Sequence, residues 1–106
     1  MIMTPGSTIA GHKVAKTLGL VRGNTIRARH VGRDIVAVLK HLIGGEIEEY
    51  TKMMGEAREQ ALDRMVKEAE VLGANAITDL RFTTSYMMAG AAEVLVFGNA
   101  VVIESA

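Results

Sequence analysis

The stretch EIEEYTKMMGEAREQALDRMVKEAEVL, residues 46–72, decides how the rest of the chain is read. Ile47, Tyr50, Met54, Ala57, Ala61, Met65, Ala69 and Leu72 recur every three or four residues, so they form one stripe along a helix. The opposite side is charged, with Glu48–Lys52, Asp63–Lys67 and Arg64–Glu68 at i, i+4. Glu46, Glu48 and Glu49 suit the positive end of the helix dipole, and Gly73 is a natural stop. At about 1.5 Å per residue such a helix is about 40 Å long. A globule of this chain length has a radius of gyration of only about 13 Å. The helix therefore overhangs any sheet that one copy can build, and something must cover the overhang.

Toward the N-terminus, Gly44-Gly45 separates this helix from a shorter one, Gly32 to Ile43, in which Ile35, Val38, Leu39 and Leu42 keep helical spacing. Before it, Thr25 to His30 alternates: Ile26, Ala28 and His30 share a dry face, Arg27 and Arg29 the other. Gly23-Asn24 is a two-residue hairpin signal, because both residues tolerate positive φ. Ile9 to Arg22 reads as the strand before it, with Gly19 marking a bulge or kink. Residues 1–8 read as a loose lead-in.

Toward the C-terminus, Ala76 to Tyr86 alternates again. Ala76, Leu80, Phe82 and Tyr86 are placed on one apolar face. Met87 to Ala91 reads as a turn around Gly90. The last strand, Ala92 to Glu104, is apolar on both faces, with a bulge expected at Gly98-Asn99. The order β-β-α-α-β-β predicts one α+β domain over residues 1–106, with a mostly antiparallel sheet covered by two helices. A helix layer covers one sheet face only, so the two-sided final strand, like the overhanging helix, predicts self-association.

Composition narrows the chemistry. The chain has 106 residues, 49% of them hydrophobic, and no Cys, which removes disulfides, thiolate zinc sites, iron–sulfur clusters and cysteine nucleophiles. No apolar run spans a bilayer and the first residues lack a secretion signal, so a cytoplasmic location without a membrane partner is expected. Charge is balanced in total but not in position. Residues 1–45 carry seven basic residues and one acid, and residues 46–106 five basic and eleven acidic. The basic half invites a nucleic-acid reading. Its lack of interleaved aromatics and the acidic remainder favour pairing between the halves, and no nucleic-acid partner is expected.

Candidate sites are sparse. His12, His30, His41, Asp34, Asp79, Glu93 and Glu104 could ligate a metal, but none has clustered ligand spacing. His30 and Asp34 straddle a strand-to-helix junction and could converge. Arg33 and Asp34 open the shorter helix, where free backbone N–H groups favour an anion; the competing reading pairs Arg33 with acids across a subunit contact. Met53, Met54 and Met65 read as core filler, whereas Met87-Met88 in a turn could cap a neighbour. No Ser lies in a nucleophile elbow, and Gly44-Gly45 is not a phosphate loop, so no enzyme is expected.

Arg29-His30-Val31-Gly32-Arg33-Asp34, Gly44-Gly45-Glu46 with Tyr50, Ala57-Arg58 with Ala61, Leu72-Gly73-Ala74-Asn75-Ala76 and Gly98-Asn99-Ala100-Val101, taken in order, resemble the YbjQ-like family. That family is described as heavy-metal-binding proteins of unknown function. The resemblance runs from about Gly11 to Glu104 and implies a dodecin-like α+β subunit assembled as a homopentamer, with a metal ion as the implied cofactor. His30 stands where the family usually has Asn, and Thr83 where an acid is common. The expectation is a non-enzymatic, homo-oligomeric binding or scaffold protein, with a site between subunits that draws on His30, Arg33, Asp34 and Tyr50. A small anionic or aromatic ligand, in pockets near Arg33 and Tyr50, is the alternative to the metal.

Overall fold

The structure, a computed structural model, describes residues 1–27, 45–86 and 91–106, the side chains of 45–50 excepted. β-Branched and aromatic residues fill the C-terminal run, and it forms the middle of the sheet. The elements are β1 (Ile2–Met3), β2 (His12–Arg27), α1 (Gly45–Leu72), β3 (Ala76–Tyr86) and β4 (Ala92–Ser105). Sheet order is β1-β3-β4-β2. β4 pairs antiparallel with both β2 and β3, and β1 pairs parallel with β3, so the sheet is mixed. The shorter predicted helix and the predicted turn at 87–90 lie outside the described residues.

Two expectations about the N-terminal half are corrected. Gly23-Asn24 makes no hairpin: β2 runs unbroken through it, and Gly23 and Asn24 pair with Val96 and Leu95 of β4. Gly23 serves close packing instead, because a Cβ there would lie 2.6 Å from the Met65 amide nitrogen and collide with the Ala61 carbonyl. The lead-in is not loose either. Beyond β1, the Thr4 amide donates to the Ile77 carbonyl (3.0 Å), the Leu80 amide to the Thr4 carbonyl (3.1 Å) and the Asp79 amide to the Gly6 carbonyl (2.9 Å).

α1 lies over β2 and β4. Met54, Ala57, Ala61, Met65 and Ala69 are buried against Val21, Val94, Val96 and Ala100. The stripe stops there, since Leu72 is 45% exposed. The helix ends in a Schellman turn: Gly73, at φ 89°, donates to the Glu70 carbonyl, and the Ala74 amide reaches back to Ala69. A smaller core, Ala76, Val101 and Ile103 under Ile9, sits on the other side of the sheet.

Irregularities in pairing set which side chains face where. Gly19, at φ 132°, follows a register shift between Thr17 and Gly19, as its sequence position suggested. The bulge expected at Gly98-Asn99 lies on the partner strand. Between Thr78 and Arg81 two residues of β3, Asp79 and Leu80, oppose Gly98 alone. Asp79 takes φ 54°, and its carboxylate accepts a bond from the Asn99 amide (3.1 Å). The extra residue reverses the alternation, so Ala76 does not share a face with Phe82 and Tyr86: Ala76 pairs with Val101, Phe82 with Val96.

Candidate functional site

None of the side chains proposed for a site is brought into view. His30, Arg33 and Asp34, with His41, lie outside the described residues, and so does the Met87-Met88 pair. Tyr50 falls in α1, but its side chain is outside the description. Of the remaining candidate metal ligands, three are held in separate interactions. The His12 ring bonds the Ala10 carbonyl (3.0 Å), Glu104 pairs with Lys13 (3.4 Å), and Asp79 holds Asn99. Among the described residues no group of three or more His, Cys, Asp or Glu converges. With no Cys in the chain, the described donors do not fit a soft-metal centre. Met54 and Met65 are core residues, 6% and 0% exposed, with Met53 packed beside them.

The feature that does assemble is the sheet face turned away from α1. Directly paired residues of antiparallel strands share a face. One cross-strand row is Leu20–Asn99–Thr78, the next Arg22–Phe97–Arg81, then Asn24–Leu95–Thr83, then Ile26–Glu93–Ser85. Leu20 and Ile26 are 63% and 57% exposed. Ile26 therefore lies on the open side, and the dry position beside it is Thr25, which corrects the alternation expected for this segment. Phe97 is half-buried between two exposed arginines. The Arg81 guanidinium is anchored at the rim, where Nη1 donates to the carbonyls of Pro5 (2.6 Å) and Leu80 (2.8 Å).

Sequence reasoning missed this row for one reason. Ending the strand at Arg22 and starting another at Thr25 removed the register that sets Arg22 opposite Phe97. The available signal was the length of β4: a 14-residue strand needs an equally long partner.

A second exposed set lies on the helix side. α1 is seated over β2 and β4, and residues 81–86 of β3 are all exposed, with Phe82 at 42% and Tyr86 at 73%. The pairing expected between the basic and acidic halves is represented among the described residues by one exposed ion pair, Lys13–Glu104, worth at most about 1 kcal/mol. Arg64, expected to pair along the helix with Glu68, instead donates to the Asn24 carbonyl (2.6 Å).

These features define a small α+β domain with one described helix laid across a mixed four-stranded sheet. The chain belongs to the YbjQ-like family, UPF0145: a family model described as "Putative heavy-metal-binding" matches residues 1–104. It is 57% identical over 104 residues to a UPF0145 protein of Dehalococcoides mccartyi strain BAV1, covering 98% of this chain and 100% of that one. A UPF0145 protein of Archaeoglobus fulgidus is 57% identical over 101 residues, with 95% of this chain and 94% of that one covered. Among solved structures, a protein of unknown function from Pediococcus pentosaceus, assigned to the DUF74 family, superposes with a TM-score of 0.64 over 98% of each chain at 15% identity, a likeness of fold. No described helix is long and apolar enough to cross a membrane.

Proposed function

We propose that this chain is a non-enzymatic binding subunit that works as a closed homo-oligomer, with five copies as the number the family resemblance implies. The observation that carries this reading is the bare strand β3, which presents Phe82 and Tyr86 on the side where α1 lies over β4 and β2. The shape agrees. The radius of gyration is 17.6 Å and the extents are 56 × 22 × 16 Å, against about 13 Å for a compact domain of this length. An elongated subunit with an uncovered strand gains apolar burial by seating a second copy there. Sedimentation velocity and native mass spectrometry of dilute protein test the reading. A species at a multiple of 11.4 kDa, five-fold for the pentamer, supports it, and a folded monomer overturns it.

Metal-ion binding is the second reading, favoured by the description of the family. Its donors must include residues beyond the described set, with His30 and Asp34 the pair to examine. Metal analysis after exhaustive dialysis, on the native chain and on His30→Ala, tests it. Retained metal that falls in the variant supports His30 as a ligand, and a metal content unchanged by the substitution removes it. A small anionic or aromatic ligand remains the alternative, and a cytoplasmic location without nucleic-acid or membrane partners completes the proposal.

A further inference from the structure

We propose that the open sheet face is a binding site for a planar aromatic anion, a ring system carrying a carboxylate or phosphate, seated on Phe97 between Arg22 and Arg81. The proposal rests on the reading of this chain as a ligand-binding module but not on its self-association, because one subunit supplies all three residues.

The geometry follows from pairing. Phe97 on the central strand stands directly opposite Arg22 on one side and Arg81 on the other. Direct cross-strand neighbours keep their Cβ atoms about 5 Å apart, so two arginine side chains start beside one ring, Arg22 free to reach over it and Arg81 tied at the rim through Pro5. Leu95, one row along, and exposed Leu20 and Ile26 extend the apolar floor. That floor suits the faces of a flat ring system, and an arginine beside an aromatic ring adds cation–π attraction.

Charge sets the sign of the ligand. Among the described residues neither arginine is in an ion pair, and residues 1–27 contain no acid. Two acids share this face: Asp79, whose carboxylate is held by the Asn99 side chain one row along, and Glu93, two rows away from Phe97. Arg81 is also preorganised. Its two bonds to Pro5 and Leu80 occupy Nη1 and leave the Nε–Nη2 edge, which can grip a carboxylate or phosphate through two parallel bonds. Arg22 needs no such anchor, because it can close over the ligand from the opposite strand.

The probes are naphthalene-2-carboxylate, naphthyl phosphate and the neutral isostere naphthalene-2-carboxamide. Each is titrated by calorimetry into the native protein, Arg22→Gln, Arg81→Gln, the double variant and Phe97→Leu, with sedimentation velocity run on the same samples. The expected result is that both anions bind at least about tenfold more tightly than the amide. The double variant removes that preference, and Phe97→Leu weakens all three probes. Because Arg22 makes no bond to the backbone among the described residues, Arg22→Gln stays informative if Arg81→Gln unfolds. Equal binding of anions and amide, no binding to folded protein, or anion preference unchanged in Arg22→Gln overturns the proposal. A change of sedimentation in Arg22→Gln without a change in anion binding also overturns it, since the row would then be a contact between copies. A monomeric native protein that still prefers the anions leaves this site standing and removes the oligomer.

Discussion

Gly23 has room for a hydrogen atom and nothing more, because the backbone of α1 at Ala61 and Met65 rests on it. Gly23→Ala is expected to destabilise the fold by about 3 kcal/mol, since the helix must lift off the strand to admit a methyl group. Gly55→Ala is the matched control. A Cβ at that helical position meets nothing within 4 Å, so the substitution should stabilise by up to about 1 kcal/mol. Urea denaturation of both variants checks the pair. Thr25 is 3% exposed, and its hydroxyl finds no partner among the described residues. Thr25→Val keeps the shape and removes the stranded hydroxyl, so the midpoint should rise by an amount worth about 1 kcal/mol. Asn75 carries a different load. Its side chain both donates to the Ile103 carbonyl (2.9 Å) and accepts from the Ile103 amide (2.7 Å), extending the ladder past the end of β3. Asn75→Ala should cost about 2 kcal/mol and speed hydrogen exchange at the Ile103 amide, read by mass spectrometry or NMR.

At the scale of elements, α1 was legible almost to the residue. Its stripe has helical period, and Gly73 supplies the left-handed stop that the observed Schellman turn requires. β3 and β4 were equally plain, because each run of strand formers is bounded by small residues. What was not legible depends on contacts distant in sequence. Gly23-Asn24 has the chemistry of a turn, and only the helix resting on Gly23 shows that the glycine serves packing. β1 is two residues long, too short to show any period, and exists because β3 offers it an edge. The bulge at Asp79 is set by Gly98 on another strand, so no local pattern announces that Phe82 and Tyr86 change sides. The Arg22–Phe97–Arg81 row was hidden for the same reason, as three ordinary residues that only the register brings together. Changing the helix stop tests the local part of this account. Gly73→Ala forces a side chain into the left-handed region and should cost about 1 kcal/mol, seen as a lower thermal midpoint with unchanged secondary structure.

For the whole molecule, the exposed half of β3 is where assembly is expected to be decided. Phe82→Lys with Tyr86→Lys removes apolar surface that is already wet in one subunit, so the fold should survive. The same double variant should shift sedimentation toward the monomer and lose concentration dependence. A variant that assembles like the native chain would show that copies meet elsewhere. Removing the exposed Lys13–Glu104 pair with Lys13→Gln should leave the urea midpoint almost unchanged at low and high salt alike, because Debye screening acts on an interaction already weakened by water.

Every strand-to-strand contact of length passes through β4, which stands between β2 and β3 and keeps them apart. A nascent chain that has released β1, β2, α1 and β3 therefore owns no sheet beyond the two-residue β1–β3 ladder. The helix can rest on β2 at Gly23, but its packing against Val94, Val96 and Ala100 of β4 is missing. Closure of the sheet has to await residues 92–105, and then His12 meets Ser105 and Arg27 meets Ala92 in one closing. A translation product truncated before residue 92 should therefore be recognised by the cell as an unfolded polypeptide rather than as a damaged domain.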